Sequence, residues 1–317
     1  MKEISVFDTS ISDYNLGNQI IMDGVYKHLF EIFPNDFFYK LPVMEITKHT
    51  AYYLKRSDLV FFGGTNALTN RMERNRQWGI SPFNYSYVKG TILVGLGWRQ
   101  YQKGKISLYT KFLYKRILNE KYIHSVRDSY TEKKMKENGF DNVINTGCPS
   151  MWDLTPEHCK NIKQNKSENV VIALTDYNQN KERDEQVAKI ILNNYKKVFF
   201  WPQGPGDYQY AKKLFGDKAE IIPPNILSYN DFLSKNDVDY IGTRLHAGIR
   251  ALQFKRRSMI IAIDNRATEM GKDFNLPTIS IDNLGELEKF INSNFETKLT
   301  IPFDNINKWK KQFLIKS

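Results

Sequence analysis

Short apolar runs alternate along the chain with longer segments in which apolar residues recur at helical spacing. In residues 18–33 the apolar side chains return every fourth position, at Ile21, Val25, Leu29 and Phe33. This spacing predicts an amphipathic helix, and similar segments predict helices over 105–120 and 129–139. The short apolar runs between them are typical of buried strands: 4–8, 36–42, 58–64, 91–97, 122–128 and 142–147.

A polar stretch without clear periodicity, residues 155–169, separates this series from a second one. In the second series, strands are predicted over 169–176, 198–202, 220–223, 238–242 and 258–264. Helices are predicted over 181–197, 207–215, 228–236, 245–253, 266–274 and 284–295. Alternation of strands and helices favours parallel sheets, so the expected fold class is α/β.

The two series predict two Rossmann-like domains, residues 1–160 and residues 168–317. Ligands in such sheets bind outside the carboxyl ends of the strands, so we expect a site in a cleft where the two domains face each other. The last segment, 303–317, predicts an amphipathic helix that packs back on the N-terminal domain.

Composition indicates a soluble globular protein. Of 317 residues, 41% are hydrophobic and 26% are charged, and no apolar run approaches the roughly 20 residues of a membrane helix. The start of the sequence lacks the apolar core of a signal peptide, so a cytoplasmic location is expected. The two cysteines, Cys148 and Cys159, have neither disulfide nor zinc spacing.

The formal charge of +11 favours anionic partners. No stripe of basic residues with interleaved aromatic residues stands out, so nucleic acid is not an expected partner. Peripheral contact with the inner membrane surface is an expectation, for which the cations Lys255, Arg256 and Arg257 are candidates.

The segment 242–252, GTRLHAGIRAL, places an arginine and a histidine where a strand gives way to a helix. Thr243 is the expected N-cap, and Arg244 and His246 follow in the first helical turn. A helix N-terminus and a guanidinium together suit a phosphate or carboxylate, and an imidazole exchanges protons near neutral pH. The alternative is structural, with Arg244 a surface charge and His246 a packing residue.

Three other strand ends carry candidate residues. Arg127 is expected at the tip of one strand, with Asp128 beside a helix whose Ser129 and Glu132 have capping-box spacing. Gly63 and Gly64 follow another strand, and Gly17 and Asn18 precede a helix. Neither glycine pair fits the dinucleotide or Walker fingerprint, and the histidines show no metal-ligand spacing. An Arg–Asp pair is often only a structural bridge.

Two tryptophans, Trp98 and Trp201, follow predicted strands and are candidates for stacking on a sugar ring. Packing in the core is the alternative for each of them.

As a set, these motifs resemble the polysaccharide pyruvyl transferase family. The resemblance spans most of the chain and is most specific at SVRDSYTEKKMKENG, residues 125–139, and TRLHAGIRAL, residues 243–252. The family's RLH motif falls on Arg244, Leu245 and His246, and its RD motif falls on Arg127 and Asp128. The sequence departs from the family pattern at Asn18, Cys148 and Arg266.

The resemblance implies a GT-B-like fold and transfer of the enolpyruvyl unit of phosphoenolpyruvate onto two sugar hydroxyls, which forms a pyruvate ketal. The N-terminal domain, with Arg127, would hold the acceptor side, and the C-terminal domain, with Arg244 and His246, the donor side. His246, Arg244 and Arg127 are the expected catalytic residues. The expected substrate-binding residues are Gly17, Asn18, Gly63, Gly64, Thr65, Trp98, Asp128, Trp201, Thr243, Leu245 and Arg266.

The expected partners are phosphoenolpyruvate as donor and a glycan or lipid-linked saccharide as acceptor, in exopolysaccharide or capsule biosynthesis. No further cofactor and no metal are expected. The rival hypotheses are a glycosyltransferase of the same architecture that uses a nucleotide-activated sugar, and a non-catalytic binding protein attracted by charge.

Overall fold

The computed structural model describes residues 1–88 and 90–314. Its contacts divide the chain into two compact units. Unit 1 consists of Met1–Asp13, Ile21–Trp152 and Ile301–Ser317, and unit 2 of Tyr14–Ile20 and Asp153–Thr300.

Twelve strands and twelve α-helices are found within the described residues. The strands are β1 (Glu3–Asp8), β2 (Phe37–Pro42), β3 (Leu59–Gly63), β4 (Thr91–Val94), β5 (His124–Val126), β6 (Val143–Asn145), β7 (Asn169–Ala173), β8 (Lys197–Phe200), β9 (Ala219–Ile221), β10 (Val238–Gly242), β11 (Ser258–Ala262) and β12 (Thr278–Ser280). The helices are α1 (Leu16–Ile32), α2 (Lys48–Arg56), α3 (Leu108–Ile117), α4 (Ser129–Glu137), α5 (Pro156–Lys160), α6 (Lys181–Asn194), α7 (Pro205–Phe215), α8 (Ile226–Lys235), α9 (Leu245–Gln253), α10 (Asn265–Phe274), α11 (Gly285–Ile291) and α12 (Phe303–Lys311).

Unit 1 contains parallel strands in the order β2-β1-β3-β4, with β5 and β6 paired beside them. The N–H of Gly95 donates to the carbonyl of Ser125 (3.0 Å), and the N–H of Arg127 donates to the carbonyl of Leu96 (2.9 Å). These bonds join β5 to the end of β4. The strand order reverses between β1 and β3, and ligands of open α/β sheets bind at such a switch point.

Unit 2 is a six-stranded parallel sheet in the order β12-β11-β10-β7-β8-β9. Every residue of β10 and β11 is buried, because helices cover both faces of a parallel sheet. The strand order is that of a doubly wound dinucleotide-binding fold, and its switch point lies between β7 and β10.

Two segments belong to the unit that does not contain their neighbours in the chain. The first turn of α1 lies in unit 2, where the N–H of Leu16 donates to the carbonyl of Gln203 (3.0 Å). Helix α12 lies in unit 1, where Trp309 is completely buried and packs against Phe61 and Trp152. Residues 315–317 of the predicted last helix lie outside the described residues.

Most elements form where the hydrophobic pattern predicts them, and the α/β fold with parallel sheets is confirmed. The pattern does not predict α2, α5 or β12. Helix α2 buries only Thr50, Ala51 and Leu54, and β12 has three residues, so their apolar signal is weak.

Of the three cations Lys255, Arg256 and Arg257, the structure buries Arg257 and leaves Lys255 exposed. The side chain of Arg257 is 2% exposed, and its Nη1 donates to the Asp239 carboxylate at 2.7 Å. Its Nη2 donates to the carbonyls of Phe290, Ile291 and Ser293. Arg257 therefore ties β11 to β10 and the end of α11, and is not available to a membrane.

Within residues 1–88 and 90–314, none of the helices is both long enough and apolar enough to cross a membrane.

His124 joins β5 to β4 through its side chain, which is 1% exposed. Its Nδ1 accepts the N–H of Leu93 at 3.2 Å. Burial lowers the pKa of His124 to about 4, because desolvation disfavours the charged imidazole. The neutral ring can then keep accepting the Leu93 N–H.

We predict that this histidine makes unit 1 sensitive to mild acid. Below pH about 6.5 the imidazole of the unfolded chain binds a proton that the folded chain excludes, so stability falls as the pH drops. The free energy of unfolding should fall by roughly 2 kcal/mol between pH 7 and pH 5. Urea unfolding followed by circular dichroism measures this, and His124→Gln should remove that part of the pH dependence. An unchanged pH dependence in the variant would contradict the assignment.

Candidate functional site

The carboxyl edge of the unit-2 sheet gathers charged and polar side chains from four neighbouring strands. Asp176 and Tyr177 follow β7, Gln203 and Asp207 follow β8, Arg244 and His246 follow β10, and Asp264 and Arg266 follow β11. We call these eight residues the edge cluster. The loops after β7 and β10 flank the switch point, where ligands of this sheet type bind.

Arg244 and Asp207 form the central ion pair of the edge cluster. Arg244 Nε donates to Asp207 Oδ2 at 3.0 Å, and Nη2 donates to Oδ1 at 2.5 Å and Oδ2 at 2.7 Å. The Arg244 and Asp207 side chains are 4% and 0% exposed. These bonds, and one from Nη2 to Asp176 Oδ1 at 3.4 Å, use Nε and Nη2 and leave the Nη1 edge of the guanidinium outside the ion pair.

Asp207 also fixes the loops around the arginine. Its Oδ1 accepts the N–H of Asp176 (3.0 Å), and its Oδ2 accepts the N–H groups of Gln203 (3.0 Å) and Gly204 (3.2 Å). Burial raises the pKa of the Asp207 carboxyl, and the Arg244 guanidinium opposes this shift. One carboxylate therefore connects the ends of β7, β8 and β10.

Tyr177 connects the two arginines of the edge cluster. The Arg244 guanidinium lies over the Tyr177 ring, 5.1 Å from its centroid. The Tyr177 hydroxyl accepts a hydrogen bond from Arg266 Nη2 at 2.7 Å, and Arg266 Nε donates to Asp264 Oδ2 at 2.9 Å. Arg266 therefore lies in the same cluster as Arg244, as the sequence predicted, but its charge is paired.

The start of α9 differs in detail from the prediction. Thr243 is not its N-cap, because the Thr243 hydroxyl accepts the N–H of Thr175 at 2.9 Å. Arg244 occupies the N-cap position and provides no side-chain cap. Tyr240 fixes the turn by donating its hydroxyl to the Arg244 carbonyl at 2.7 Å. Leu245 and His246, each 5% exposed, begin the helix.

Gly17 and Asn18, in the first turn of α1, belong to unit 2. A methyl group at Gly17 would lie 3.1 Å from Gln203 Oε1 and 3.7 Å from His246 Cβ. The Gln203 side chain is 2% exposed, and its Nε2 has no hydrogen-bond partner within the described part of the chain. The structure thus brings Gly17 beside the edge cluster.

Unit 1 has its own charged strand end, at Arg127 and Asp128. Asp128 Oδ1 accepts the N–H of Thr131 at 2.7 Å and caps α4, so Asp128 is the cap in place of the predicted Ser129. Asp128 Oδ2 accepts from Arg127 Nη2 at 3.1 Å and Nε at 3.3 Å.

The Arg127 guanidinium is buried with part of its hydrogen-bonding capacity unused. The side chain is 1% exposed, and no described residue accepts a hydrogen bond from Nη1. Gly97 leaves the space for it, because a Cβ at position 97 would lie 2.1 Å from Nη2. Cys148 is also completely buried, and burial raises the pKa of its thiol, so it remains protonated at neutral pH.

Gly63, the last residue of β3, and Gly64 allow α1 to pack closely at the switch point of unit 1. Gly64 has φ +59°, and a Cβ there would lie 2.0 Å from Ile21 Cγ2. Thr65, which follows, has φ +69°, a conformation that costs a β-branched residue on the order of 1–3 kcal/mol. Its carbonyl accepts the N–H of Gly97 at 2.9 Å, so this turn also supports the strand end before Arg127.

The predicted role of Trp98 and Trp201 in sugar stacking is wrong, because both side chains are completely buried. Trp201 stacks on Tyr229 with ring centroids 3.8 Å apart. Trp98 lies beneath the Lys134 ammonium, 5.8 Å from the ring centroid.

The positive charges of the edge cluster are balanced by carboxylates. Its two guanidinium groups are matched by the carboxylates of Asp176, Asp207 and Asp264. Each arginine is therefore neutralised and oriented before any ligand binds. No group of three or more His, Cys, Asp or Glu side chains in residues 1–88 and 90–314 is arranged to hold a metal ion.

Asp207, Asp176 and Tyr177 are absent from the residues predicted for the site. A local signal exists for Asp207, because the segment Gly204–Asp207, GPGD, reads as a helix start with a carboxylate in the first turn. Its contact with Arg244 depends on strand order, which periodicity does not show.

Several solved structures share this fold. MnaA of S. aureus with UDP is 12% identical, covers 99% of this chain and 97% of its own, and has a TM-score of 0.53. A UDP-GlcNAc 2-epimerase from Methanocaldococcus jannaschii is 12% identical, with 99% and 98% coverage and a TM-score of 0.54. A UDP-N-acetylglucosamine 2-epimerase from Rickettsia bellii is 10% identical, with 99% and 95% coverage and a TM-score of 0.55. The likeness confirms the GT-B-like fold class.

No curated protein matches the chain in sequence. Residues 15–265 match the family described as polysaccharide pyruvyl transferase. The chain therefore belongs to that family, as its motifs indicated, and is a transferase.

We predict that Asp207→Asn strongly destabilises the protein, because Arg244 would lose its buried counter-charge and keep only the longer contact with the partly exposed Asp176 (3.4 Å). The free energy of unfolding should fall by about 3 kcal/mol or more. Denaturant unfolding measures it, with Asp217→Asn as the matched control in the same unit. Asp217 pairs with Lys212 at 3.3 Å but is fully exposed, so its loss should cost no more than about 0.5 kcal/mol. Equal unfolding midpoints for the two variants would contradict the role of Asp207.

Proposed function

We propose that the protein transfers the enolpyruvyl unit of phosphoenolpyruvate onto two hydroxyls of a sugar and so forms a cyclic pyruvate ketal. The acceptor is a glycan or lipid-linked saccharide in cell-surface polysaccharide biosynthesis, and the reaction runs in the cytoplasm without a further cofactor. Membership of the polysaccharide pyruvyl transferase family over residues 15–265 supports this reaction class.

The observation that carries the proposal is the unused Nη1 of Arg127. A buried donor without an acceptor costs about 1–3 kcal/mol, and more when the group is charged. An anionic ligand oxygen would remove this cost. Phosphoenolpyruvate carries a carboxylate and a phosphate, both of which suit a guanidinium.

Arg244 and the start of α9 provide a second set of donors, in unit 2. The bidentate contact with Asp207 turns Nε and Nη2 away from a ligand and leaves Nη1 for an anionic oxygen. Helix α9 has no side-chain cap, and the positive end of a helix dipole favours a phosphate or carboxylate. Asp207 thus orients Arg244 without occupying its whole guanidinium.

His246, on the first turn of α9, is the proposed proton donor. Protonation of the methylene carbon of phosphoenolpyruvate makes the adjacent carbon electrophilic, and the first sugar hydroxyl adds to it and loses its proton. The C–O bond to phosphate then breaks, and the second hydroxyl adds to the same carbon and loses its proton. The net products are the ketal and inorganic phosphate.

Two aromatic side chains at the edge cluster are exposed, in contrast to the buried Trp98 and Trp201. Tyr14 and Tyr177 are 69% and 56% exposed. The Tyr14 ring lies beside Gly204, 3.5 Å from the position that a Cβ at Gly204 would occupy. We propose these two rings as the stacking surfaces for a sugar.

The reaction is tested by incubating the protein with phosphoenolpyruvate and saccharide acceptors and analysing the products by mass spectrometry. The expected result is an acceptor that has gained one pyruvate ketal, with release of phosphate. Sugar nucleotides are supplied in a parallel reaction. Transfer of a sugar from these, with none of pyruvate, would replace the proposal with a glycosyltransferase.

We predict that His246→Gln lowers the rate of ketal formation by roughly 100- to 10,000-fold, because general acid catalysis is lost. Steady-state rates with phosphoenolpyruvate measure the loss. His49→Gln, at an exposed histidine of unit 1, is the control and should keep the wild-type rate. Near-normal turnover in His246→Gln would remove this residue from the mechanism.

We predict that Arg127→Gln weakens the binding of phosphoenolpyruvate by about 10- to 100-fold, the usual effect of losing a hydrogen bond to a charged group. Titration calorimetry measures the affinity. Arg127→Lys keeps the charge beside Asp128, so its affinity for phosphoenolpyruvate should lie between those of the wild type and Arg127→Gln. Arg99→Gln, on the loop after β4, is the control. Equal affinity in wild type and Arg127→Gln would show that the unused Nη1 does not bind the donor.

A further inference from the structure

Helix α3 of unit 1 has an outward face made only of apolar and basic side chains. Leu108 is 88% exposed and Phe112 is 42% exposed. Lys111, Lys115 and Arg116 lie beside them, and α3 contains no acidic residue. The opposite side of the helix is buried through Thr110, Leu113, Tyr114 and Ile117, so the outward face is fixed by packing.

The turn of residues 82–84 lies next to α3 and extends the same surface. Phe83 is 94% exposed, and Tyr85, two residues later, has its ring 5.5 Å from that of Phe112. The Arg116 guanidinium lies 5.5 Å from the centroid of the Phe112 ring. We call the surface of Phe83, Leu108, Lys111, Phe112, Lys115 and Arg116 the basic-apolar face.

The loop that leads into α3 adds further positive charge next to this face. The loop of residues 95–107, which leads into α3, contains Arg99, Lys103 and Lys105 and no acidic residue. A carboxylate, that of Glu73, lies at the start of α3. It accepts hydrogen bonds from the hydroxyls of Ser107 (3.0 Å) and Thr110 (3.3 Å) and lies 3.9 Å from Arg71.

We infer that the basic-apolar face docks on the surface of an anionic lipid bilayer. Exposed Leu and Phe side chains with lysines and arginines around them match a helix that lies in the headgroup region of a membrane. The apolar groups enter the acyl boundary and the cations contact anionic headgroups. A soluble polyanion would use the cations but would gain nothing from Phe83, Leu108 and Phe112.

The basic-apolar face lies near the strand end that carries Arg127. The loop that leads into α3 leaves the sheet at the carboxyl end of β4, next to the end of β5, where Arg127 lies. Docking through α3 would bring this edge of unit 1 close to the membrane surface, where a lipid-linked saccharide is located. The docking itself does not depend on the proposed reaction.

The test is co-sedimentation of the full chain with vesicles of phosphatidylcholine alone or mixed with phosphatidylglycerol. Wild type should bind the mixed vesicles, bind neutral vesicles weakly, and lose affinity as salt is raised. The double variant Leu108→Ser/Phe112→Ser should bind the mixed vesicles about tenfold more weakly or worse. Phe83→Ser, on a turn rather than in a helix, should weaken binding independently.

Matched controls separate the face from general charge and apolarity. Lys111→Glu/Lys115→Glu should abolish binding, whereas Lys189→Glu/Lys213→Glu, which changes the net charge equally at exposed lysines of unit 2, should retain it. Leu227→Ser, at a residue 81% exposed in α8, should also bind as wild type. Circular dichroism and thermal unfolding confirm that each variant is folded.

Three results would overturn the inference. Equal binding of wild type to neutral and anionic vesicles would exclude recognition of the charged surface. Equal losses of vesicle binding in the control variants and in the variants of the basic-apolar face would show that the membrane contact lies elsewhere. Undiminished vesicle binding by Leu108→Ser/Phe112→Ser and by Phe83→Ser, together with equally tight binding of wild type to heparin, would show that the face binds polyanions instead.

Discussion

The buried contact between Asp207 and Arg244 determines how the unit-2 edge cluster can bind a ligand. A guanidinium at the end of a buried strand needs a counter-charge, and Asp207 provides it while accepting N–H groups from Asp176, Gln203 and Gly204. The loops after β7, β8 and β10 thereby hold one arrangement. Arg244 presents Nη1 from a fixed position, so little reorganisation is needed when an anion binds.

Unit 1 also contains a buried arginine, Arg127, at the end of a strand, and this arginine has fewer hydrogen-bond partners than Arg244. Asp128 divides its two oxygens between capping α4 and pairing with Arg127, and Gly97 leaves the guanidinium the space that a side chain would fill. The result is a buried cation with one unused donor. Both units thus place a partly satisfied arginine at the carboxyl end of a parallel strand, where this fold class binds its ligands.

Much of the fold and part of the site could be predicted from local pattern. The strand before Arg244 and the helix after it are marked by a buried apolar run and by helical spacing, so their junction could be located from the sequence. The partner of Arg244 could not be predicted in this way. Asp207 lies beside Arg244 because the strands are ordered β10-β7-β8, and this order follows from long-range strand pairing. The same reason explains Arg257, which looks like surface charge in sequence and meets Asp239 of the neighbouring strand. Trp98 and Trp201 show that a position after a strand does not establish exposure, since both rings are enclosed by neighbouring elements.

The most direct test of this account is a crystal structure of the protein with phosphoenolpyruvate bound. We expect Arg244 to keep its contact with Asp207 and to donate from Nη1 to an anionic oxygen of the ligand, with His246 beside the methylene carbon. A ligand bound away from Arg244, or an Arg244 whose Nη1 contacts only protein or water in the complex, would contradict it.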